Sequence, residues 1–120
     1  MQLLEAEKQS GHAMFRLSGA TNQLLEMAIT NCFAAKGYHV KSSEGDKITF
    51  ERGNRVLRLL FGAFVKYYKF SVSVQVSGDN ATVYFDKGST GISGGVIGMV
   101  AIGKEFTRMA EELGQCLKAA

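Results

Sequence analysis

The sequence predicts an α+β domain of two layers, in which a mostly antiparallel sheet of about five strands carries two helices on one face. Residues 70–77 and 81–86 alternate apolar and polar side chains, and the Gly-Asp-Asn at 78–80 between them suits a tight turn. Residues 22–36 and 96–118 repeat apolar side chains at helical spacing. Because the hairpin has one apolar face, we expect the helices to cover that face.

The N-terminal part of the chain predicts a strand and then a helix. Residues 1–10 fit either a helical turn or a frayed tail, since no pattern decides between them. Residues 12–18 alternate in the manner of a strand. Thr21 is a suitable N-cap for a helix over 22–36, and Gly37 suits the left-handed cap that ends it.

A second hairpin is predicted next. A strand opens at Tyr38, residues 43–46 reverse the chain, and residues 47–52 form the returning strand. The segment 54–62 fits either a short helix or a strand, and we favour the short helix because residues that start and end helices flank it. The predicted order is strand, helix, strand, strand, short helix, strand, strand, helix.

Length and composition indicate one domain over residues 1–120, with no interdomain linker. The apolar fraction of 46% and the charged fraction of 21% are those of a globular chain. Residues 87–95 predict a flexible, Gly-rich loop. The glycines at 91, 94, 95 and 98 stand four apart in pairs, which favours close packing of a helix start on its own sheet, and a ligand-admitting loop is the alternative.

The cysteines and the N-terminus bear on localisation. Cys32 lies among the apolar positions of the first helix, so a buried thiol is expected there, and it has no zinc-site spacing to Cys116. Two such cysteines fit a reducing compartment. The chain shows no signal-peptide core and no apolar run near the ~20 residues that cross a bilayer. We therefore expect a soluble, cytoplasmic protein.

The sequence offers little for catalysis. His12 and His39 have no acid or nucleophile motif around them, and Glu111 and Glu112 should point apart on a helix. Residues 98–104 match the phosphate-loop spacing GxxxxGK, but the next residue is a glutamate where magnesium binding needs Ser or Thr, and the stretch looks helical. We expect no enzyme activity, no cofactor and no metal.

A basic and aromatic segment over residues 52–69 is the best functional lead. It holds five cations and no acid, interleaved with aromatic rings, which suits contact with nucleic acid or an anionic membrane surface. The alternative is that the rings are buried and the cations form a solvated edge. The candidate binding residues are Arg52, Arg55, Arg58, Phe64, Lys66, Tyr67, Tyr68 and Lys69.

The other face of the sheet is expected to be wet, with Tyr84 as a lone exposed ring among hydroxyl side chains. Together these observations favour a small non-enzymatic binding or interaction module. Its partner would be a second copy of the chain or another protein. The alternative function is an anionic-surface binder, for nucleic acid or acidic lipid, that uses the segment 52–69.

Overall fold

The computed structural model describes residues 1–9, 11–53, 67–87 and 95–120, and for Tyr67, residues 95–99 and Ala101 it describes the backbone alone. These residues form six strands and two helices. Their bounds are β1 Gln2–Gln9, β2 His12–Ser18, α1 Asn22–Ala35, β3 His39–Glu44, β4 Lys47–Gly53, β5 Tyr67–Ser77, β6 Asn80–Asp86 and α2 Gly95–Ala119.

The strands form one open antiparallel sheet in the order β1-β2-β6-β5-β4-β3. Three pairs are hairpins between neighbours in sequence, and the pairing of β2 with β6 joins the N-terminal part of the chain to the C-terminal part. Phe33 of α1 stacks on Phe50 of β4, and Phe106 of α2 stacks on Phe85 of β6. The predicted α+β class with an antiparallel sheet is therefore confirmed.

The core lies between the sheet and the helices. Val72 of β5 and Val83 of β6, which the alternation turns inward, are fully buried. Each buried side chain of this size contributes about 1.5–3 kcal/mol. The largest fully buried side chains are Phe15, Phe33, Phe50, Phe70, Phe85, Leu17, Leu25, Ile29, Met109, Leu113, Leu117 and Val72.

Local sequence signals act as expected at the helix ends and turns. The Thr21 Oγ1 accepts a hydrogen bond from the Leu24 N–H at 3.2 Å, so Thr21 is the N-cap of α1. Gly37 has φ 87° just beyond the helix, in the left-handed region that favours glycine. Gly78 has φ 60° in the turn between β5 and β6.

The expectation of a frayed tail or helical turn at residues 1–10 was wrong. Residues Gln2–Gln9 form β1, which pairs along its length with β2, so the described sheet has six strands where about five were expected. β1 is an edge strand whose side chains are almost all exposed, and the register shifts between Leu3 and Glu5. An exposed strand has no apolar alternation, and its backbone bonds to β2 leave no mark in the sequence.

The expectation of a buried thiol was also wrong. Cys32 of α1 forms a disulfide with Cys116 of α2, with a Cα–Cα distance of 6.1 Å. α1 and α2 pack side by side, which brings together two cysteines 84 residues apart in sequence. The inference of a reducing compartment rested on free thiols and loses that support. Cytoplasmic localisation stays a prediction, and neither helix of the described chain has the length and apolar character needed to cross a membrane.

Two predictions fall partly or wholly outside the described residues. The short helix at 54–62 lies outside them, as do residues 88–94 of the Gly-rich loop predicted over 87–95. The final helix, predicted from Val96 to Lys118, extends from Gly95 to Ala119. The GxxxxGK match at 98–104 therefore lies inside α2, where a phosphate loop does not form.

Candidate functional site

The structure separates the two ends of the basic and aromatic segment. Arg52 lies opposite Tyr68 in the register of β4 and β5, on the face that the helices cover. Lys69 follows Tyr68 and lies opposite Glu51, so the alternation of the strand turns it to the face that no described helix covers, which we call the uncovered face. Arg52 and Lys69 therefore point away from each other across the sheet.

Tyr68 belongs to the core. Its side chain is 7% exposed, and its ring stacks on Phe70 with the centroids 6.4 Å apart. The ring of Tyr68 is therefore buried, as in the alternative interpretation of the segment, and it is not available to contact a partner. The remaining candidates, Arg55, Arg58, Phe64 and Lys66, lie outside the described residues, and the side chain of Tyr67 is not described.

Arg52 takes part in a buried polar network centred on Glu105 of α2. The Glu105 carboxylate is buried, and its Oε2 accepts hydrogen bonds from the Tyr38 hydroxyl at 2.5 Å and from an Arg108 nitrogen at 2.7 Å. Arg108 Nε donates to Oε1 at 2.8 Å, which makes that pair bidentate. Arg52 approaches the same Oε2 from β4 at 3.4 Å. We call these four residues the Glu105 network.

Sequence reasoning missed the Glu105 network. Position 105 lies three residues after Ile102 and four before Met109, on the edge of the buried stripe of α2. An arginine three residues further along the same helix is the usual partner for such a carboxylate. That spacing could have predicted the pair of Glu105 with Arg108, whereas the contacts of Tyr38 and Arg52 with Glu105 depend on the tertiary fold.

The network fixes the charge of its members. Burial alone would raise the pKa of Glu105, but hydrogen bonds from Arg108 and Tyr38 and the charges of the two arginines outweigh it and lower that pKa. Burial and the bond to Glu105 raise the pKa of Tyr38 far above its ordinary value, so the phenol stays neutral. Two guanidinium groups thus face one carboxylate, and the network carries an excess positive charge.

A shallow groove lies on the uncovered face of the sheet, with a volume of about 160 Å³. Two cross-strand rows build it from β1, β2 and β6. The first row is Glu7, Met14 and Tyr84, and the second is Gln9, His12 and Asp86. Tyr84 is 40% exposed, which confirms the prediction of an exposed ring there. The contribution of β1 could not be foreseen, since β1 itself was not predicted.

The histidines form cross-strand pairs on the uncovered face. His12 Nδ1 lies 3.4 Å from Asp86 Oδ2, and His39 Nε2 lies 2.8 Å from Glu51 Oε1. Both imidazoles are more than half exposed, as in ordinary surface pairs. Among the described residues, no three His, Cys, Asp or Glu side chains come together in a way that could hold a metal ion.

Glu111 and Glu112 diverge as expected from their places on one helix. Glu111 pairs with Lys8 of β1 at 2.7 Å, and Glu112 pairs with Lys36 beyond α1 at 3.5 Å. They connect α2 to its neighbours on either side and do not converge on a common point.

Fold and geometry therefore define an α+β domain that has a sheet face covered by no described helix and a positively charged network between β4 and α2. No known family model matches the chain, and no curated protein matches it in sequence.

Proposed function

We propose that the chain is a small non-enzymatic interaction module that meets a protein partner with the uncovered face of its sheet. The observation that carries this proposal is that the described helices lie on one face only, while the other face holds a groove beside a half-exposed tyrosine. Tyrosine supplies a rigid, amphipathic contact at protein interfaces and is enriched among residues that dominate binding energy.

The charge of this face points to a partner with basic side chains. The whole chain has a net charge of +3, yet acids outnumber bases on the uncovered face. The acids are Glu5, Glu7, Glu44, Glu51 and Asp86, and the bases are Arg16, Lys47 and Lys69. Complementary charge guides the encounter of two proteins and selects between partners.

The groove itself suits a cationic side chain. Glu7 makes no ion pair with another described residue, and it lies in the same cross-strand row as the Met14 thioether and the Tyr84 ring. A carboxylate and an aromatic ring that line the same groove both attract a lysine or arginine head group, and the cation–π contact with the ring is worth about 0.5–1 kcal/mol at exposed sites. The partner in this proposal therefore inserts a basic side chain beside Tyr84.

A titration of the labelled protein with a short lysine-rich peptide tests the proposal. In nuclear magnetic resonance spectra at low salt, we expect shifts at Glu7, Met14 and Tyr84. The Glu7→Gln variant should weaken the binding, while Glu44→Gln, on the same face but outside the groove, serves as the matched control.

Equal weakening by both variants would mean diffuse charge attraction and would contradict a role for the groove. Shifts confined to the helical layer would place the partner on the helices and would contradict the proposal. Light scattering after size exclusion, over a wide concentration range, tests whether the partner is a second copy of the chain.

A second candidate function is the binding of an anionic surface through the segment 52–69, and the Glu105 network supports it. Arg52, at the start of that segment, lies beside Arg108 of α2, so a basic pair exists at its described end. Binding through released counterions is steeply salt-dependent. Reversing Arg55 and Arg58 to glutamate should weaken binding to single-stranded DNA and to anionic vesicles, and failure of the unmodified chain to bind either at low salt would remove this candidate.

A further inference from the structure

Arg52 and Arg108 come together although they lie on different layers of the fold. Arg52 is on β4 and Arg108 on α2, and each donates to the same atom, Glu105 Oε2. The two donating nitrogens are therefore no farther apart than the sum of the 3.4 Å and 2.7 Å bonds that join them to this oxygen. At that separation a single small ligand reaches both guanidinium groups.

The buried members of the Glu105 network hold this pair in place. Glu105 is 8% exposed and Tyr38 is 3% exposed, so the carboxylate that orients the arginines is itself fixed by packing and by the Tyr38 hydroxyl. The bidentate bond fixes the plane of the Arg108 guanidinium. A ligand that binds there meets donors that are already ordered, which reduces the entropy lost on binding.

Arg52 and Arg108 also carry an excess of positive charge and are accessible to solvent. Glu105 supplies one negative charge for two guanidinium groups, and Glu112, which also faces Arg108, is paired with Lys36. The side chains of Arg52 and Arg108 each remain 41% exposed. Both side chains therefore still reach solvent, and the N–H groups that do not bind Glu105 are left to bind a ligand.

We propose that Arg52 and Arg108 form a binding site for a phosphoryl group, with Glu105 as the positioning residue. The proposal deepens the second candidate function and rests on it for the anionic nature of the ligand, but it uses none of residues 54–66. Arginine forks match the spacing of phosphoryl oxygens. Arg108 donates to Glu105 through Nε and one terminal nitrogen, which leaves its other terminal nitrogen to meet one oxygen of a tetrahedral phosphoryl group while Arg52 meets another.

Among the described residues, this site offers a ligand charge and hydrogen bonds but no exposed ring for stacking. The nearest described ring of the segment, Tyr68, is buried in the core and offers no face to a nucleobase or an acyl chain. The shared chemistry of the ligand is therefore the phosphoryl group, whether it is free or belongs to a nucleic acid or a lipid head group.

Calorimetric titration of the full chain with inorganic pyrophosphate at low salt tests the proposal. We expect Arg52→Gln and Arg108→Gln each to weaken binding about tenfold or more, since each removes a charge-assisted contact. Arg16→Gln is the matched control, because Arg16 is an exposed arginine paired with Glu5 on the uncovered face. Pyrophosphate binding that is equal in all of these variants and the unmodified chain would overturn the site.

Two further variants separate positioning from loss of folding. Arg108→Lys keeps a positive charge beside the buried Glu105 but lacks the fork, so it should remain folded and still lose most pyrophosphate affinity. Glu105→Gln should weaken binding although it makes the network more positive, because the arginines lose their anchor. Tighter binding by Glu105→Gln would show that charge alone governs the affinity and would overturn the positioning role.

Parallel titrations with a short oligothymidylate and with vesicles containing phosphatidylserine identify the source of the phosphoryl group. Loss of oligonucleotide or vesicle binding in the Arg52→Gln, Arg108→Gln double variant supports the site and names its source. If both bind the double variant unchanged, the site is overturned while the second candidate function stands on Arg55, Arg58 and Lys66. If the unmodified chain binds no phosphoryl ligand at all, the site and the second candidate function both fail.

Discussion

Cys32 on α1 and Cys116 on α2 are joined by a disulfide that connects one helix directly to the other. The bond lies within the helical layer and does not connect that layer to the sheet. It closes a loop that contains β3, β4, β5 and β6, so most of the sheet lies between the two bonded residues.

Reduction of this disulfide should destabilise the protein by about 2–4 kcal/mol, because the bond restricts the unfolded chain. Urea denaturation with and without reductant measures the difference. A Cys32→Ser, Cys116→Ser double variant should be insensitive to reductant and is the control. Alkylation of two thiols in the denatured, unreduced protein would contradict the disulfide.

Val74→Asp should unfold the domain, whereas Gln75→Asp should not. Val74 is 3% exposed in the middle of β5, directly opposite Val83, and its neighbour Gln75 is exposed on the other face. An unpaired buried carboxylate costs several kcal/mol, which is comparable to the whole stability of a small domain. Circular dichroism melts compare the two variants, and equal melting would mean that the two faces of β5 are assigned wrongly.

Glu105→Gln should lower the stability by about 2 kcal/mol at neutral pH, in a pH-dependent way. The network lowers the pKa of Glu105 below its ordinary value near 4.5, so the folded state favours the carboxylate. Its contribution is complete above 4.5 and is lost as the pH falls through the lowered pKa. The gap in free energy of unfolding between variant and unmodified protein should therefore narrow in acid, and a constant gap would contradict the lowered pKa.

Gly103→Ala and Gly114→Ala should differ, although both positions lie inside α2. A Cβ at Gly103 would meet nothing within 4 Å, so alanine should stabilise the helix there by about 0.5–1 kcal/mol. A Cβ at Gly114 would lie 3.3 Å from the Phe15 ring, which is fully buried. The core has to shift to admit it, and the helical gain is offset. Urea denaturation of both variants measures the difference in stability. Equal stabilisation would show that the Phe15 ring moves aside at no cost in free energy.

The sequence predicts those elements whose side chains differ between their two faces. β5 and β6 alternate cleanly because helices cover one face and water the other, and α2 shows its stripe through Phe106, Met109 and Leu113. β1 escapes prediction because nearly all of its side chains are exposed, so backbone pairing with β2 alone makes it a strand.

The functional features are less accessible to sequence reasoning than the fold is. The Glu105 network gathers residues from β4, from α2 and from the residue before β3, and no local pattern signals such a meeting. The same holds for the disulfide. The separation of Arg52 from Lys69 follows from the register of β4 and β5, which periodicity within one strand does not reveal.

The place of β6 in the sheet decides when the sheet becomes continuous as the chain leaves the ribosome. β1 and β2 pair with each other, and β3, β4 and β5 pair in sequence, but β6 alone connects these two groups in the described sheet. A nascent chain that ends before Asn80 therefore holds two unconnected pieces of sheet, of which the β3-β4-β5 piece can already pack against α1 through Phe33 and Phe50. β6, the last strand of the described sheet to be made, joins the two pieces, and α2 follows it and packs Phe106 on Phe85 of β6.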